Sequence, residues 1–319
     1  MNQDKTIAVI MTAYNESEEW IRASIESVLN QTYRNIKLYI MLDNPDNAVL
    51  HEIICRYALE DERITYIRNK QNMGLVAALN ELLTNVEEDI VARMDADDIC
   101  IEDRIEKEYA FMLEHNLDFV MCGIDFICDD KRENGPDVPT IMSKQFNECE
   151  KYGNFATHPT WLLKKEIYDK LNGYRNIKYC EDYDFVLRAI QEGYRCGRVA
   201  DVLLLYRVRE SGISVSYAYE QFEKADYMRN LYKKSQELSD VNPEELNNQF
   251  DNNPDNKARF DKAKLKLDSF ARDLYERRLF SCLGNFISGF FADSIYRRLF
   301  IYTFNNNLKT KAIFKEARN

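Results

Sequence analysis

The sequence predicts an α/β protein with a mostly parallel sheet flanked by helices, followed by a C-terminal helical region. In the first 125 residues, short apolar runs alternate with segments whose apolar residues recur at helical spacing. Such alternation is typical of a parallel sheet covered by helices on both faces. From Tyr217 onward the apolar spacing is helical, with no further strand-like run.

Four strands and four helices are predicted in the first part. The strands lie at residues 6–12, 36–42, 64–67 and 89–94. The apolar faces of the helices lie at residues 20–29, 49–58, 75–83 and 101–113. Asn15 and Glu18 have the spacing of a capping box and predict the start of the first helix.

The second part gives weaker signals. A helix is predicted at 181–193 and a strand at 198–208, and residues 129–157 form a polar stretch that predicts a long functional or mobile loop. Residues 236–262 are rich in Asn, Asp and Glu, which is typical of a linker or a loosely packed helical segment.

Composition restricts the class of protein. The chain has 319 residues, 45% of them hydrophobic, which is enough for a packed core. Its net charge of −11 argues against nucleic-acid binding. The eight cysteines form no Cys-x-x-Cys pair, no apolar run reaches the length of a membrane span, and the polar N-terminus is unlike a signal peptide. We therefore expect a cytoplasmic protein with free thiols.

The most informative feature is the acidic cluster Asp95-Ala96-Asp97-Asp98, directly after the apolar run 90–94. Carboxylates this close repel one another unless a cation, a base or water relieves them. Mg²⁺ and Mn²⁺ prefer oxygen ligands and often bind together with substrate phosphates. The cluster therefore predicts a site for a metal-bound nucleotide, with a solvated acidic turn as the alternative. A calcium loop is excluded, because Ile99 and Cys100 stand where a ligand and a glycine are needed.

Polar residues also end the first two predicted strands. Thr12 offers a hydroxyl, Tyr14 an aromatic face for a base, and Asp43 an acceptor for a base N–H. Because ligands of parallel sheets bind outside the carboxyl ends of the strands, these residues and the acidic cluster are expected to face one crevice. The alternative is that Thr12 and Tyr14 are ordinary strand-end residues and that Asp43 forms a turn.

A series of motifs follows in a fixed order along the chain. They are Tyr14-Asn15, the helix Ser24–Tyr33 (SIESVLNQTY), Asp43, the turn Asn72–Ala78 (NMGLVAA), Asp95–Asp98, His158-Pro159-Thr160, Gly173-Tyr174 and Glu181-Asp182-Tyr183-Asp184. In this order they resemble the family 2 glycosyltransferases of the GT-A fold, over about residues 5–215. Two departures lie close to where the nucleotide is expected: Leu42-Asp43-Asn44-Pro45 stands in place of an Asp-Asp-Gly-Ser turn, and Leu79-Asn80 stands in place of an Arg-Asn pair.

The resemblance implies a nucleotide-sugar-binding catalytic domain at 1–215 and a helical region at 216–319, with the linker-like segment 236–262. It implies that the donor is a nucleotide sugar, with a UDP-sugar as the first candidate. It also implies a glycan or lipid-linked acceptor in surface polysaccharide synthesis. Mn²⁺ or Mg²⁺ would be held by Asp97, with Asp95 near the ribose or the metal and Asp98 behind them. Thr12, Tyr14, Asp43 and Asn72 would position the nucleotide.

Asp182 is the candidate general base for the acceptor hydroxyl, which implies direct, inverting displacement. Glu181 and Asp184 are weaker candidates, and a carboxylate at a helix start is also an ordinary feature. His158 and Trp161 either line the acceptor site or are buried in the core. Two rival functions remain: an inactive homologue serving as a binding subunit, and a sugar nucleotidyltransferase. Against the second, residues 10–16 contain no Gly, Lys or Arg.

The C-terminal segment has its own charge pattern. Residues 271–319 carry nine Lys or Arg and four Asp or Glu, and basic pairs at 277–278 and 297–298 bracket the apolar run 279–291. At 13 residues this run is too short to span a bilayer, but it suits peripheral contact with the inner face of the cell membrane. The alternative is a helix docked on the catalytic domain or in a homo-oligomer interface.

Overall fold

The computed structural model describes residues 5–209, 212–251, 253–275, 289–290 and 293–318. These ranges contain one ten-stranded sheet flanked by helices. The strands are β1 (Ile7–Ala13), β2 (Ile36–Leu42), β3 (Ile64–Arg68), β4 (Ile90–Asp95), β5 (Ile99–Cys100), β6 (Phe119–Cys128), β7 (Lys131–Glu133), β8 (Ile141–Met142), β9 (Leu162–Lys164) and β10 (Cys196–Arg207). The helices are α1 (Glu18–Leu29), α2 (Ala48–Glu60), α3 (Leu75–Leu83), α4 (Arg104–Glu114), α5 (Ser143–Glu150), α6 (Lys165–Leu171), α7 (Glu181–Gln191), α8 (Ile213–Ser216), α9 (Ala218–Lys233), α10 (Pro243–Phe250), α11 (Pro254–Tyr275) and α12 (Ser294–Ala317).

The sheet has the order β3-β2-β1-β4-β9-β6-β10-β5, with β7 and β8 beside it. The pairs among β1, β2, β3 and β4 are parallel, as predicted. Beyond β4 the sheet is mixed, because β9 lies antiparallel between β4 and β6. This short strand of three residues was not predicted, and its insertion separates the parallel half from the parallel β6–β10 pair.

Both faces of the sheet are buried. Along β1, Ile7, Val9 and Met11 belong to one apolar core, and Ala8 and Ile10 belong to a second. Helices α1, α2 and α4 contribute to the first core, and α3, α6 and α7 to the second. Since successive strand residues point to opposite faces, a strand buried on both sides appears in the sequence as one continuous apolar run.

The start of α1 differs from the prediction. Its N-cap is Ser17, whose side chain accepts a hydrogen bond from the backbone N of Trp20 at 3.2 Å. Asn15 accepts a hydrogen bond from the Asn44 side chain instead, at 2.7 Å. A serine two residues later serves as the cap because the side chain of Asn15 is used to join the ends of β1 and β2.

The polar stretch 129–157 is not a structureless loop, because it contains β7, β8 and α5. Phe146 and Cys149 of α5 are fully buried in the second core. The helix escaped prediction because only two of its eight residues are strongly apolar.

The C-terminal region is helical where the structure describes it. Residues 236–262 include α10 and the start of α11, and Leu238, Leu246 and Phe260 there are buried. Of the helices in the described ranges, none is long and apolar enough to cross a membrane. The apolar run 279–291 lies outside the described residues except for 289–290. Its membrane contact and the domain division at residue 215 stay predictions.

Trp161 is the largest fully buried side chain, and its removal is expected to be costly. Its ring lies 4.9 Å from that of Phe119 and 5.4 Å from that of Phe185, and its Nε1 donates to the Ala156 carbonyl at 2.9 Å. We expect Trp161→Ala to lower the free energy of unfolding by about 3–5 kcal/mol, as large core truncations do. Urea unfolding followed by circular dichroism measures this. Leu59→Ala, at a side chain 89% exposed, is the control and should change stability by less than about 0.5 kcal/mol.

Candidate functional site

A cavity of about 1040 Å³ lies at the carboxyl ends of β1, β2 and β4. All the side chains assigned to a site from the sequence line it: Thr12, Tyr14, Asp43, Asn72, Asp95, Asp97 and Asp182. The structure thus brings seven residues, spread over 170 positions, to one cavity, while their individual roles stay predictions.

The acidic cluster forms one wall of this cavity. Ligand oxygens of Asp95, Asp97 and Asp98 lie within 4.8 Å of one another. Asp97 and Asp98 are 6% and 1% exposed. Burial, and then the charge of Asp95, raises the pKa of Asp97 to about 7, and the same causes raise the pKa of Asp98 well above its usual range.

The donor atoms of this cluster fit a hard divalent cation. Asp98 Oδ2 is buried and has no hydrogen-bond partner among the described residues. An unpaired buried carboxylate oxygen is costly unless a cation or donor satisfies it. Three clustered carboxylates, one with an unsatisfied oxygen, therefore suit Mn²⁺ or Mg²⁺ better than they suit a solvated turn.

Three arginines that sequence reasoning missed face the cluster. Arg93 of β4 is buried and forms an ion pair with Asp95. Arg209 Nε lies 2.8 Å from Asp97 Oδ2. Arg207 donates from its backbone N to Asp98 Oδ1 at 2.8 Å and from its Nε to the Asp97 carbonyl at 3.0 Å. Arg207 and Arg209 are more than a hundred positions from the cluster in the chain. In the sequence, their spacing of two residues at the end of a predicted strand was the only indication that they act at one site.

Asp43 holds the turn that leads into α3. Its Oδ1 accepts hydrogen bonds from Asn69 Nδ2 at 2.6 Å and Met73 N at 2.9 Å, and its Oδ2 accepts from Gly74 N at 2.8 Å. Gly74 has a φ of +80°, which suits glycine, and Asn72 Oδ1 also accepts from its N–H. A carboxylate has about four acceptor positions. The contacts of Asp43 thus match the turn-forming alternative, and its contact with a base stays a prediction.

Tyr14 and Glu16 lie beside the acidic cluster. Tyr14 is 44% exposed, which leaves its ring available to a ligand. Its backbone N donates to Glu16 Oε2 at 2.7 Å. Burial raises the pKa of Glu16, and the charge of Asp95 raises it further. Glu16 lines the cavity but was given no role from the sequence, where it belongs to the polar start of a helix.

A second carboxylate pair that lines the cavity, Glu181 and Asp182, opens α7. Asp182 Oδ2 accepts a hydrogen bond from Asn154 Nδ2 at 3.0 Å. Burial raises the pKa of Asp182, and burial together with the Asp182 charge raises the pKa of Glu181 to about 7. Asp184, by contrast, is fully buried between Arg175 and Arg188. It does not line the cavity, so its role as an alternative base is excluded in favour of a structural one.

The loop before α7 is strained and is held by the C-terminal helices. Tyr179 lines the cavity with a φ of +67°, which non-glycine residues rarely adopt. Lys224 of α9 donates to the Lys178 carbonyl at 3.0 Å and to Asn247 Oδ1 at 2.9 Å. Asn247 of α10 also donates to the Asn176 carbonyl at 2.8 Å. The helices following the sheet therefore fix the backbone that presents Asp182.

His158, Trp161 and Asn80 have structural contacts. His158 lines the cavity and shares a hydrogen bond of 2.8 Å with the Tyr174 hydroxyl, while burial lowers its pKa well below the usual range. Trp161 is fully buried in the core, so it offers no face to a sugar. Asn80 hydrogen-bonds to both the N and the O of Tyr174 at 2.9 Å and so cross-links α3 to the chain before α7. The departure from the family's Arg-Asn pair lies at its neighbour Leu79.

Comparison with known proteins points to one family. A family model described as Glycosyl transferase family 2 matches residues 8–172. An uncharacterized glycosyltransferase of Methanocaldococcus jannaschii is 34% identical over 63% of this chain and 70% of its own length. The O-antigen biosynthesis glycosyltransferase WbnJ of Escherichia coli is 33% identical over 72% of this chain and 89% of its own. The crystal structure of S. aureus TarS 1-349 in complex with UDP-GlcNAc has a TM-score of 0.59 at 17% identity, covering 76% of this chain and 69% of that one, which is a likeness of fold.

The raised pKa of Glu181 predicts a pH-dependent loss of stability. A carboxyl group whose pKa in the folded state lies above its ordinary value of 4.5 contributes its full stabilisation at pH values below 4.5. This stabilisation is lost as pH rises through about 7. At 1.36 kcal/mol per pKa unit the loss is at most roughly 3 kcal/mol. Glu181→Gln removes this ionisation and should reduce the decline in unfolding free energy between about pH 4 and pH 8 by this amount, while the ionisation of other buried carboxyls such as Asp97 remains.

Urea unfolding across that pH range is the measurement. Glu166→Gln, at a side chain 63% exposed, is the control and should keep the wild-type pH dependence. Parallel curves for wild type and Glu181→Gln would contradict the raised pKa.

Proposed function

The chain belongs to glycosyl transferase family 2, and from this premise we propose that it transfers a sugar from a UDP-sugar to a glycan or lipid-linked hydroxyl, with a divalent metal and with inversion. The observation that supports this most is that the buried cluster at 95–98 and the Glu181–Asp182 pair line the same cavity. The UDP-GlcNAc bound to TarS and the O-antigen role of WbnJ support a nucleotide-sugar donor and surface polysaccharide synthesis.

The acidic wall serves the leaving group. Asp97, with Asp95 and Asp98, would hold Mn²⁺ or Mg²⁺, which supplies positive charge for the diphosphate as it leaves. The Arg93 ion pair fixes the orientation of Asp95 and cancels part of the negative charge that would otherwise repel phosphate. Tyr14, exposed at the end of β1, offers an aromatic face to the base.

The start of α7 serves the acceptor. Asp182 takes the proton of the acceptor hydroxyl as that oxygen attacks the anomeric carbon. Hydrogen bonds from Asn154 Nδ2 and Tyr183 N hold its carboxylate and favour the charged form that a base requires. With Asp182 as the base and no enzyme nucleophile in the reaction, displacement is direct and inverts the anomeric centre. We further propose a cytoplasmic location. A lipid-linked acceptor would bring the protein to the inner face of the membrane, where the basic residues of 271–319 favour anionic lipid.

Asp97→Ala should abolish Mn²⁺-dependent UDP binding and leave the fold intact, because the side chain contributes charge rather than packing. Isothermal titration calorimetry with UDP and Mn²⁺ measures the affinity. Asp169→Ala, at an exposed ion pair on α6, is the control and should bind as wild type does. Unchanged affinity in a folded Asp97→Ala protein would remove Asp97 from the site.

Asp182→Asn keeps the shape of the side chain and loses its basicity. Turnover should fall by about 10²–10⁴-fold, the usual scale for losing a general base, with nearly unchanged donor affinity. The donor is first identified by metal-dependent binding across a panel of nucleotide sugars, and turnover is then measured as nucleotide release with acceptor. Near-normal turnover would transfer the role to Glu181.

A further inference from the structure

Arg209 differs from the other arginines that face the acidic cluster. Arg93 is 2% exposed and is committed to Asp95. The Arg207 side chain is 9% exposed and also pairs with Asp130 at 3.2 Å. The Arg209 side chain is 32% exposed, and its ion pair with Asp97 is the one it forms among the described residues. It is therefore the arginine of the cluster that can leave its carboxylate at the lowest cost.

The Arg209 guanidinium occupies one of the two carboxylate oxygens with which Asp97 could hold a metal. Its Nε lies 2.8 Å from Asp97 Oδ2, while Asp97 itself is nearly buried. A divalent cation on the same oxygen would stand within a few ångströms of the guanidinium, and like charges at that distance repel strongly in a partly buried site. The two cations are thus alternative partners of Asp97.

The Arg209 guanidinium also lies over an aromatic ring. The Trp20 ring of α1 lies 5.8 Å from the Arg209 guanidinium carbon and 4.9 Å from that of Arg207. An arginine can stay on an aromatic face while its N–H groups turn to a new acceptor. The forked guanidinium matches two phosphate oxygens at once, and the cavity next to Arg209 is where the diphosphate of a donor would lie.

We propose that Arg209 is an exchangeable counter-ion: it neutralises Asp97 in the metal-free protein and, once a divalent cation takes that carboxylate, donates to the diphosphate of the bound nucleotide. This inference rests on the proposed function, because it needs a metal and a nucleoside diphosphate in the same cavity. It makes Arg209 a diphosphate-binding residue whose release is coupled to metal binding.

The first test measures Mn²⁺ alone, with no nucleotide present. The free Mn²⁺ signal in electron paramagnetic resonance gives the affinity of wild type, Arg209→Gln and the control Arg318→Gln, which removes an exposed arginine paired with Asp137. Removing the competing cation should tighten Mn²⁺ binding by about threefold or more, and the control should match wild type.

The second test measures UDP binding by calorimetry at saturating Mn²⁺. Arg209→Gln should now bind about tenfold more weakly, because a charge-assisted contact to phosphate is lost, and Arg209→Lys should recover part of the affinity. The opposite signs of the two effects distinguish exchange from a structural role, since a distorted site would weaken both. Circular dichroism of both variants checks the fold.

Other outcomes overturn the proposal. If Arg209→Gln leaves both affinities unchanged or weakens both, the exchange is overturned. Mn²⁺-dependent binding of UDP by wild type would still support the proposed function in that case. Wild type that binds UDP without binding Mn²⁺ overturns both the exchange and the metal dependence.

Discussion

The structure is organised around the burial of negative charge at the end of β4. Asp97 and Asp98 are almost inaccessible to solvent, and Asp95 stands beside them. Charged groups in such a place need compensating donors, and the fold supplies them from two directions. Arg93 lies in β4 itself, and Arg207 and Arg209 lie at the end of β10 and just after it.

Much of this arrangement could be predicted from local signals. The strands β1 to β4 are mostly apolar, and α3 has the bounds that its periodicity indicates. Strand ends in a parallel sheet meet at one edge, so Thr12, Asp43 and Asp95 could be placed in one crevice without any knowledge of their contacts.

The remainder depends on partners far away in the chain. The antiparallel β9 is too short to give a period, and its place is set by pairing with β4 and β6. In the sequence Asn80 has the properties of an ordinary helix residue. Its role follows from its hydrogen bonds with Tyr174, 94 positions later. The hydrogen bonds that Asp43 accepts from Met73 and Gly74 depend on the conformation of a turn that sequence spacing does not reveal.

The hydrogen bonds of Lys224 and Asn247 that hold residues 176–178 limit where this protein can be truncated or recombined with relatives. The sheet and the carboxylates lie in one part of the chain, but the backbone geometry in front of Asp182 is maintained by side chains more than forty positions downstream. A catalytic part cut before α9 would keep every acidic residue of the site and lose the support for the φ of +67° at Tyr179. The helical region therefore cannot be replaced independently of the sheet. A hybrid protein built from relatives would have to exchange residues 176–182 together with the helices that hold them.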